Sequence, residues 1–222
     1  MVEKGVPWER PAAGPAEWEV DGDDPALAAA VRGRPGARVA FRPDPTSDLA
    51  RAIGVHAAGG SRAPTFDLTL DALRVVADGR EHFAVNMVVI GTGPDRTGWF
   101  TPALGLSWQV DDRPRCDGAV TGIVVGSGQY LRGLDVIPRG HPGDGRAEVQ
   151  VYAVGRRQRA GMRSRLVQGA HLPHPDITQV TGRRVQVQAQ RGPVALEIDG
   201  VPTPPASRVT VEVAPAAFVL VV

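Results

Sequence analysis

The chain has 222 residues, which is enough to bury a conventional hydrophobic core without disulfides or metal staples. Its 25 basic and 24 acidic residues leave a net charge of +1, and only 5% of its residues are aromatic, so the composition argues against a nucleic-acid partner. The single Cys116 excludes an intrachain disulfide and a multi-cysteine zinc site. The sequence contains no apolar run that suits a signal peptide or a transmembrane segment, which predicts a cytoplasmic protein.

The N-terminal quarter of the chain predicts short strands and helices in alternation. Residues 1–15 are rich in Pro, Gly and Ala without periodicity, and this composition predicts an irregular lead-in. A short strand over 17–20 is followed by an alanine-rich helix, with Asp23 or Asp24 as its cap and Pro25 in its first turn.

A second strand and helix follow the first pair. The apolar stretch 37–41 predicts a buried strand, and residues 46–48 begin a helix that Gly54 ends. This pattern predicts a small, partial α/β part over residues 1–57, which is too small to form a complete doubly wound sheet. The Gly- and Pro-containing segment 57–64 predicts the boundary to the next domain.

From residue 65 the pattern changes to strands separated by Gly, Pro and Asp-Gly turns. Strands are predicted within residues 65–79, 82–91, 106–112, 119–128, 147–154, 183–190, 195–200 and 208–214. So many short strands predict a larger antiparallel β-sandwich domain over 65–222, interrupted by one helix at roughly 155–168. The predicted fold class of the whole chain is therefore α+β.

The β-rich part carries a resemblance to a known family. Residues 126–154, GSGQYLRGLDVIPRGHPGDGRAEVQVYAV, and the late turn at 197–200, EIDG, resemble the C-terminal half of the diacylglycerol kinase-like lipid kinases. Asn86 and Gly91 match the residues with which that domain begins. The resemblance implies ATP and Mg²⁺ as cofactors of an active member, and a lipid or anionic head group as its partner.

The resemblance extends, more weakly, to the turn at residues 21–25. Family enzymes hold ATP phosphates on a Gly-Gly-Asp-Gly-Thr turn, and Asp23 stands at the place of its Asp, near the reacting hydroxyl or metal. The resemblance therefore makes Asp23 the candidate catalytic residue. Asp24 and Pro25 replace the last glycine and the threonine, which adds a carboxylate and removes an N–H donor where phosphates are held.

A second nucleotide motif of the family, Gly-Thr-Gly-Asn-Asp before a helix, corresponds to residues 44–48. The resemblance implies that Thr46, Ser47 and Asp48 bind the nucleotide, with Asp48 near nucleotide or metal. Asp44 adds a negative charge in place of a glycine, and two like charges at about 4 Å repel by about 1 kcal/mol in water and about 4 kcal/mol at an effective dielectric of about 20. These replacements disfavour ATP.

The turn Gly143-Asp144-Gly145 resembles the family's site for a structural magnesium ion. The resemblance implies the Asp144 carboxylate as one ligand, with the backbone carbonyls of His141 and Arg146 as further oxygen ligands. The alternative is an ordinary solvated aspartate in a turn.

The position of the family's general base is also altered. In the family a Glu follows the late Asp-Gly turn, but Val201 follows Asp199-Gly200 here, and valine cannot accept a proton. Because only about 20 residues precede Asp21, the family's nucleotide-binding sheet is expected to be truncated as well. We therefore predict a pseudokinase with degenerate ATP binding that acts as a ligand-binding or interaction protein. The alternative is an ATP-dependent lipid kinase, active by itself or completed by a second copy or a partner chain.

The segment 155–168 permits a third interpretation. On one continuous helix, Arg156, Arg159 and Arg163 would share a face at i, i+3 and i+7, and such a basic face can contact lipid head groups. The alternative is a solvated face paired with local acidic residues. No GxSxG motif supports a hydrolase.

Overall fold

The computed structural model describes residues 9–55 and 66–222, so residues 1–8 of the predicted lead-in and the predicted boundary at 57–64 lie outside the described residues. The N-terminal part contains β1 (Glu9–Pro11), β2 (Trp18–Gly22), α1 (Asp24–Val31), β3 (Ala37–Pro43) and α2 (Asp48–Ile53). The next nine strands are β4 (Phe66–Ala77), β5 (Arg80–Ala84), β6 (Met87–Gly91), β7 (Leu104–Val110), β8 (Cys116–Val120), β9 (Gly122–Gly126), β10 (Tyr130–Leu131), β11 (Leu134–Asp135) and β12 (Ala147–Tyr152). The last elements are α3 (Arg156–Arg159), α4 (Met162–Val167), β13 (Ile177–Gly182), β14 (Arg184–Ala189), β15 (Val194–Ile198), β16 (Val201–Ala206) and β17 (Arg208–Val221).

Two sheets form a β-sandwich. The larger sheet has the order β1-β4-β17-β14-β7-β8, with β5 beside β4, β3 beside β17 and β2 beside β3. The smaller sheet has the order β13-β12-β9-β6-β15-β16. A core of fully buried side chains from both sheets, such as Leu73, Leu106, Ile90 and Ile123, fills the space between them. The predicted α+β class with an antiparallel sandwich is confirmed.

The N-terminal strands join the larger sheet. β3 pairs in parallel with residues 218–221 at the end of β17, and β2 pairs in parallel with β3. α1 and α2 pack on this edge through Leu27, Val31 and Leu49, each of which is almost fully buried. The first turns of both helices are thereby fixed against the sandwich.

Local signals placed both N-terminal helices correctly. Asp23 caps α1 by accepting a hydrogen bond from the Ala26 N–H at 3.1 Å, and Pro25 lies in the first turn. Ser47 caps α2 by accepting one from the Ala50 N–H at 3.1 Å. Gly54 ends α2 with a positive φ of 72°, a conformation that glycine adopts without steric cost.

The structure corrects the predicted secondary structure of residues 9–11 and 155–168. Residues 9–11, predicted as irregular, form β1, because they pair with residues 66–68 at the edge of the larger sheet. The single helix predicted over 155–168 is two short helices, α3 and α4, and Arg159 is buried between neighbouring loops. The shared face predicted for Arg156, Arg159 and Arg163 is therefore wrong.

A third correction concerns residues 82–91, which were predicted as one strand. They form β5 and β6, which belong to different sheets. The chain changes sheets at Val85 and Asn86, whose N–H groups donate to the carboxylate of Asp199 instead of to a neighbouring strand. This crossing brings Asn86 and Asp199 to the edge of a pocket.

Candidate functional site

A pocket of about 450 Å³ lies where the first turns of α1 and α2 meet two loops of the sandwich. Its lining consists of Asp23, Asp24, Pro25, Pro45, Thr46, Asp48, Arg51, Arg132, Gly133, Asp199, Gly200 and Val201. The fold thus brings together three of the four residues predicted for catalysis and nucleotide binding, together with the late Asp-Gly turn. Ser47 lies just behind this surface and is buried.

The Asp24 carboxylate, at the start of α1, accepts several hydrogen bonds from other parts of the chain. It is only 4% exposed and accepts hydrogen bonds from the Ser47 hydroxyl at 2.5 Å, the Leu49 N–H at 3.0 Å and the Asn86 side-chain amide at 3.1 Å. Burial raises the pKa of Asp24 to about 6, although its hydrogen-bond donors oppose the shift. Through the Leu49 N–H, the Asp24 carboxylate is bound to the first turn of α2.

Thr46 and Ser47 are already engaged within the chain. Thr46 donates both its N–H and its hydroxyl to Asp44 Oδ1, at 2.7 Å and 2.5 Å. Ser47 donates to Asp24 and accepts from the α2 backbone. These hydrogen bonds stabilise the start of α2, and the binding of a nucleotide by Thr46 and Ser47 stays a prediction.

Asp48 connects α2 to the sandwich. Its carboxylate accepts hydrogen bonds from the Gly133 N–H at 2.7 Å and from the Arg132 N–H. Burial raises the pKa of Asp48, and these two N–H groups work against that rise. Arg132 adopts a positive φ of 52°, which turns both N–H groups toward the same carboxylate. Asp48 is therefore held by the β10–β11 turn.

The Arg132 side chain is part of an ionic network that the sequence did not reveal. Its guanidinium donates to both oxygens of Asp95, at 2.7 Å and 2.8 Å, and to Glu197. Glu197 also accepts from Arg96 at 2.9 Å. Asp95 and Glu197 are buried, so the network fixes the pocket wall against both the β6–β7 loop and β15.

The Asp199 carboxylate is held by main-chain N–H groups. Its carboxylate accepts three main-chain hydrogen bonds, from Val85 at 2.8 Å, Asn86 at 3.0 Å and Met87 at 2.8 Å. Burial raises the pKa of Asp199 to about 7, and the negative charge of nearby Asp24 acts in the same direction. The next side chain on the pocket wall is Val201, which is 46% exposed and has no proton-accepting atom.

The Asp144 turn lies outside the pocket lining and is closed by its own hydrogen bonds. Asp144 Oδ1 accepts from the Arg146 N–H at 2.9 Å, and His141 Nδ1 accepts from the Gly143 N–H at 3.3 Å. The buried carboxylate of Asp71 supports the turn from β4 by accepting from the Gly145 N–H at 2.6 Å. Burial raises the pKa of Asp71.

This turn offers oxygen donors of the kind that magnesium accepts: one carboxylate and neighbouring main-chain carbonyls. Within residues 9–55 and 66–222, no three or more His, Cys, Asp or Glu side chains are grouped to hold a metal. A cation here would therefore depend on the carbonyls predicted at His141 and Arg146, and the site remains a prediction.

Comparisons with known proteins agree with this architecture. Residues 99–222 match the model of the YegS C-terminal NAD kinase beta sandwich-like domain. A search of the curated proteins found no significant match. The fold and this match thus define a protein with an NAD kinase beta sandwich-like domain. Because the match spans more than half of the chain, the protein belongs to the YegS-like, diacylglycerol kinase-like lipid kinase family, which confirms the resemblance seen in the sequence.

Solved structures show the same fold over most of the chain. Two structures described as candidate diacylglycerol kinases from Bacillus anthracis str. Sterne have TM-scores of 0.71 and 0.69 and sequence identities of 16% and 14%. Each match covers 91% of this chain, and 77% and 76% of those chains respectively. A third, described as a diacylglycerol kinase from the same organism, has a TM-score of 0.67 at 16% identity over 91% of this chain and 75% of that one. None of the helices among the described residues is long and apolar enough to cross a bilayer.

Proposed function

We propose that this protein binds a small polar ligand in the pocket between α1, α2 and the sandwich, and that it does not transfer a phosphoryl group from ATP. The observation that carries the proposal is the position of the Asp24 carboxylate on the first turn of α2. The Leu49 N–H and the Ser47 hydroxyl, which could serve a phosphate, already donate to this carboxylate. A phosphate at the same point would have to displace an internal anion and bind beside it.

The other end of the pocket supports the same proposal. A general base needs a free lone pair within hydrogen-bond reach of the substrate hydroxyl. Three main-chain N–H groups occupy most of the roughly four acceptor positions of the Asp199 carboxylate, and Val201, which comes after Gly200, has no proton acceptor. Abstraction of a proton from a lipid hydroxyl would therefore compete with the main-chain bonds of Asp199 and finds no base at Val201.

The lining indicates the chemistry of the ligand. The volume of about 450 Å³ lies within the usual range for small-molecule sites. Four carboxylates and two arginines face or border it, and Arg132 is neutralised by Asp95 and Glu197. This excess of negative charge favours a neutral or cationic ligand, such as a polyol or an ammonium-bearing head group, over a nucleoside triphosphate.

The test is the melting temperature of the protein with and without millimolar Mg-ATP. A ligand at 100 times its dissociation constant adds about 2.7 kcal/mol of stability, which for a chain of this size is roughly 5–11 °C. We expect no such shift for the wild type. If the Asp24 charge is what excludes the nucleotide, Asp24→Asn should gain affinity for Mg-ATP, whereas Asp112→Asn, at an exposed position outside the lining, should not.

The alternative function is an ATP-dependent lipid kinase, completed by a second copy or a partner chain if necessary. One observation favours it: Asp23, Thr46 and Asp48, which the family resemblance assigned to catalysis and nucleotide binding, do line one pocket with Arg51. Phosphoryl transfer depends mainly on positioning and charge neutralisation, so magnesium gathered by these carboxylates would supply what the chain lacks. Formation of labelled phosphatidic acid from diacylglycerol and γ-labelled ATP would overturn the non-catalytic proposal.

A further inference from the structure

The loop between β6 and β7 presents two exposed aromatic side chains at its tip. Phe100 is 94% exposed, more than any other large apolar side chain among the described residues, and Trp99 is 49% exposed. A tight turn holds them there: the Thr101 N–H donates to the Gly98 carbonyl at 3.2 Å, and the Gly98 N–H donates to the Thr101 hydroxyl at 2.9 Å. Trp99 and Phe100 occupy the two central positions of this turn.

The loop is fastened to the helices that follow β12. Buried Arg159 donates to the Val154 carbonyl at 2.7 Å and to the Thr101 carbonyl at 2.6 Å. Thr97 donates its hydroxyl to the Gly93 carbonyl at 2.8 Å. These hydrogen bonds fix the position of the aromatic tip beside α3.

The surface next to this tip is basic. Arg156, Arg157, Arg163 and Arg165 on α3 and α4 are exposed, and segment 155–168 contains no acidic residue. None of the ion pairs between described residues uses these four arginines. The aromatic tip and the four arginines are called the docking surface below.

We propose that the docking surface binds an anionic membrane, with Trp99 and Phe100 entering the head-group region while the arginines contact the acidic lipids. Tryptophan and phenylalanine partition into the interfacial zone of a bilayer, and arginines beside them add electrostatic attraction to anionic head groups. The proposal does not depend on what the pocket binds. The loop nevertheless touches the pocket wall, because Asp95 at its base holds Arg132.

The charge of this surface argues against a second copy of the chain as its occupant. In a two-fold dimer the same patch meets itself, so four arginines would face four arginines around the aromatic contact. An anionic bilayer is complementary to both features at once. Segment 155–168 thus contributes to lipid binding through its exposed arginines and through the hydrogen bond from Arg159 to the loop. It does so without the continuous basic helix predicted from the sequence.

The first experiment is flotation of the purified protein with vesicles of phosphatidylcholine alone and of phosphatidylcholine with about one third phosphatidylglycerol. We expect binding to the anionic vesicles only, and weaker binding as salt is added. The double variant Trp99→Ala/Phe100→Ala should lower the affinity about ten-fold or more, since it removes the apolar area that enters the bilayer. Arg156→Glu/Arg157→Glu should lower it by at least about ten-fold.

Matched controls lie elsewhere on the described surface. Phe66→Ala removes an exposed aromatic ring from the edge of the larger sheet, and Arg113→Glu/Arg183→Glu reverses two exposed charges at the far end of β7 and β14. Both should bind anionic vesicles like the wild type. Equal losses in test and control variants, or equal binding to neutral vesicles, would overturn the proposal.

A second measurement separates docking from loss of folding. Tryptophan emission should be quenched by brominated lipid in anionic vesicles, and Trp99→Phe should abolish the quenching while keeping both flotation and the melting temperature. If the Trp99/Phe100 variant floats like the wild type but dissociates a dimer in sedimentation equilibrium, the tip is an interface between copies and the membrane proposal is wrong.

Discussion

The pocket and the Asp144 turn both carry acidic side chains, yet their carboxylates bond to the rest of the chain in opposite ways. In the pocket, Asp24 accepts a hydrogen bond from Asn86, Asp48 accepts from Gly133, and Asp199 accepts from Met87, so each carboxylate joins segments distant in sequence. Asp144 accepts from Arg146, two residues away. The pocket carboxylates are therefore part of what holds the two halves of the fold together, whereas the turn carboxylate is replaceable.

Burial also acts on the ionisation of the pocket carboxylates. Burial raises the pKa of Asp24, Asp48 and Asp199 inside the pocket. The charged forms of these groups are disfavoured by desolvation and retained by hydrogen bonds. Removing one of them should affect folding strongly, and a test of ligand binding in such variants must therefore include a measurement of stability.

The largest effect is expected for Asp199→Ala. The substitution leaves three main-chain N–H groups unpaired where the chain passes from β5 to β6, and each buried unpaired donor costs about 1–3 kcal/mol. We expect a loss of about 4 kcal/mol in the free energy of unfolding, measured by urea denaturation. A loss below about 1 kcal/mol would show that water reaches this crossing and that Asp199 is not structural.

Arg132→Met should have the next largest effect. The variant keeps an apolar stem but leaves Asp95 and Glu197 without their shared cation, and breaking a buried pair in this way costs about 3–5 kcal/mol. Because the Arg132 side chain is 25% exposed, solvent screening reduces the expected loss to about 2–3 kcal/mol. Arg74→Met, in a more exposed ion pair with Glu81, is the matched control and should lose less than about 1 kcal/mol.

Asp24→Asn should change how stability depends on pH. The folded-state pKa of Asp24 is about 6 and lies above its ordinary value of 3.8, so the native state binds the proton more tightly than the unfolded state. This contribution is fully present below about pH 3.8 and is lost as pH rises through 6, and it amounts to about 3 kcal/mol at most. The asparagine variant, which cannot ionise, should lose correspondingly less stability between pH 4 and pH 7. Parallel curves for the two proteins would contradict the assignment; Asp112→Asn, at an exposed position between β7 and β8, serves as the control.

The sequence predicted what local hydrogen bonds determine. The caps at Asp23 and Ser47, the αL end at Gly54 and most strands followed from residue types within a few positions of one another. Asp23 and Asp48, which the family resemblance assigns to catalysis and nucleotide binding, line one pocket although they are 25 residues apart, and their roles stay predictions. Arg132, Asp95 and Glu197 were missed, because a charge pair formed between distant loops leaves no periodic or spacing signal in the chain. The same holds for residues 82–91. Their alternation of apolar and polar residues predicts one strand, but the distant Asp199 carboxylate binds Val85 and Asn86, where the chain passes from one sheet to the other.

The smallest effect is expected at Asp144. In the presence of a chelator, Asp144→Ala should change the free energy of unfolding by less than about 0.5 kcal/mol, because the side chain is partly exposed and its bond to the Arg146 N–H can be replaced by water. If the turn binds magnesium as the family resemblance implies, millimolar Mg²⁺ should raise the melting temperature of the wild type and leave that of the variant unchanged. Asp117→Ala, which removes a carboxylate from β8, controls for nonspecific effects of the salt. If the wild type and both variants respond equally to Mg²⁺, Asp144 is an ordinary turn aspartate. The pocket and the turn would then differ only in how their carboxylates are hydrogen-bonded.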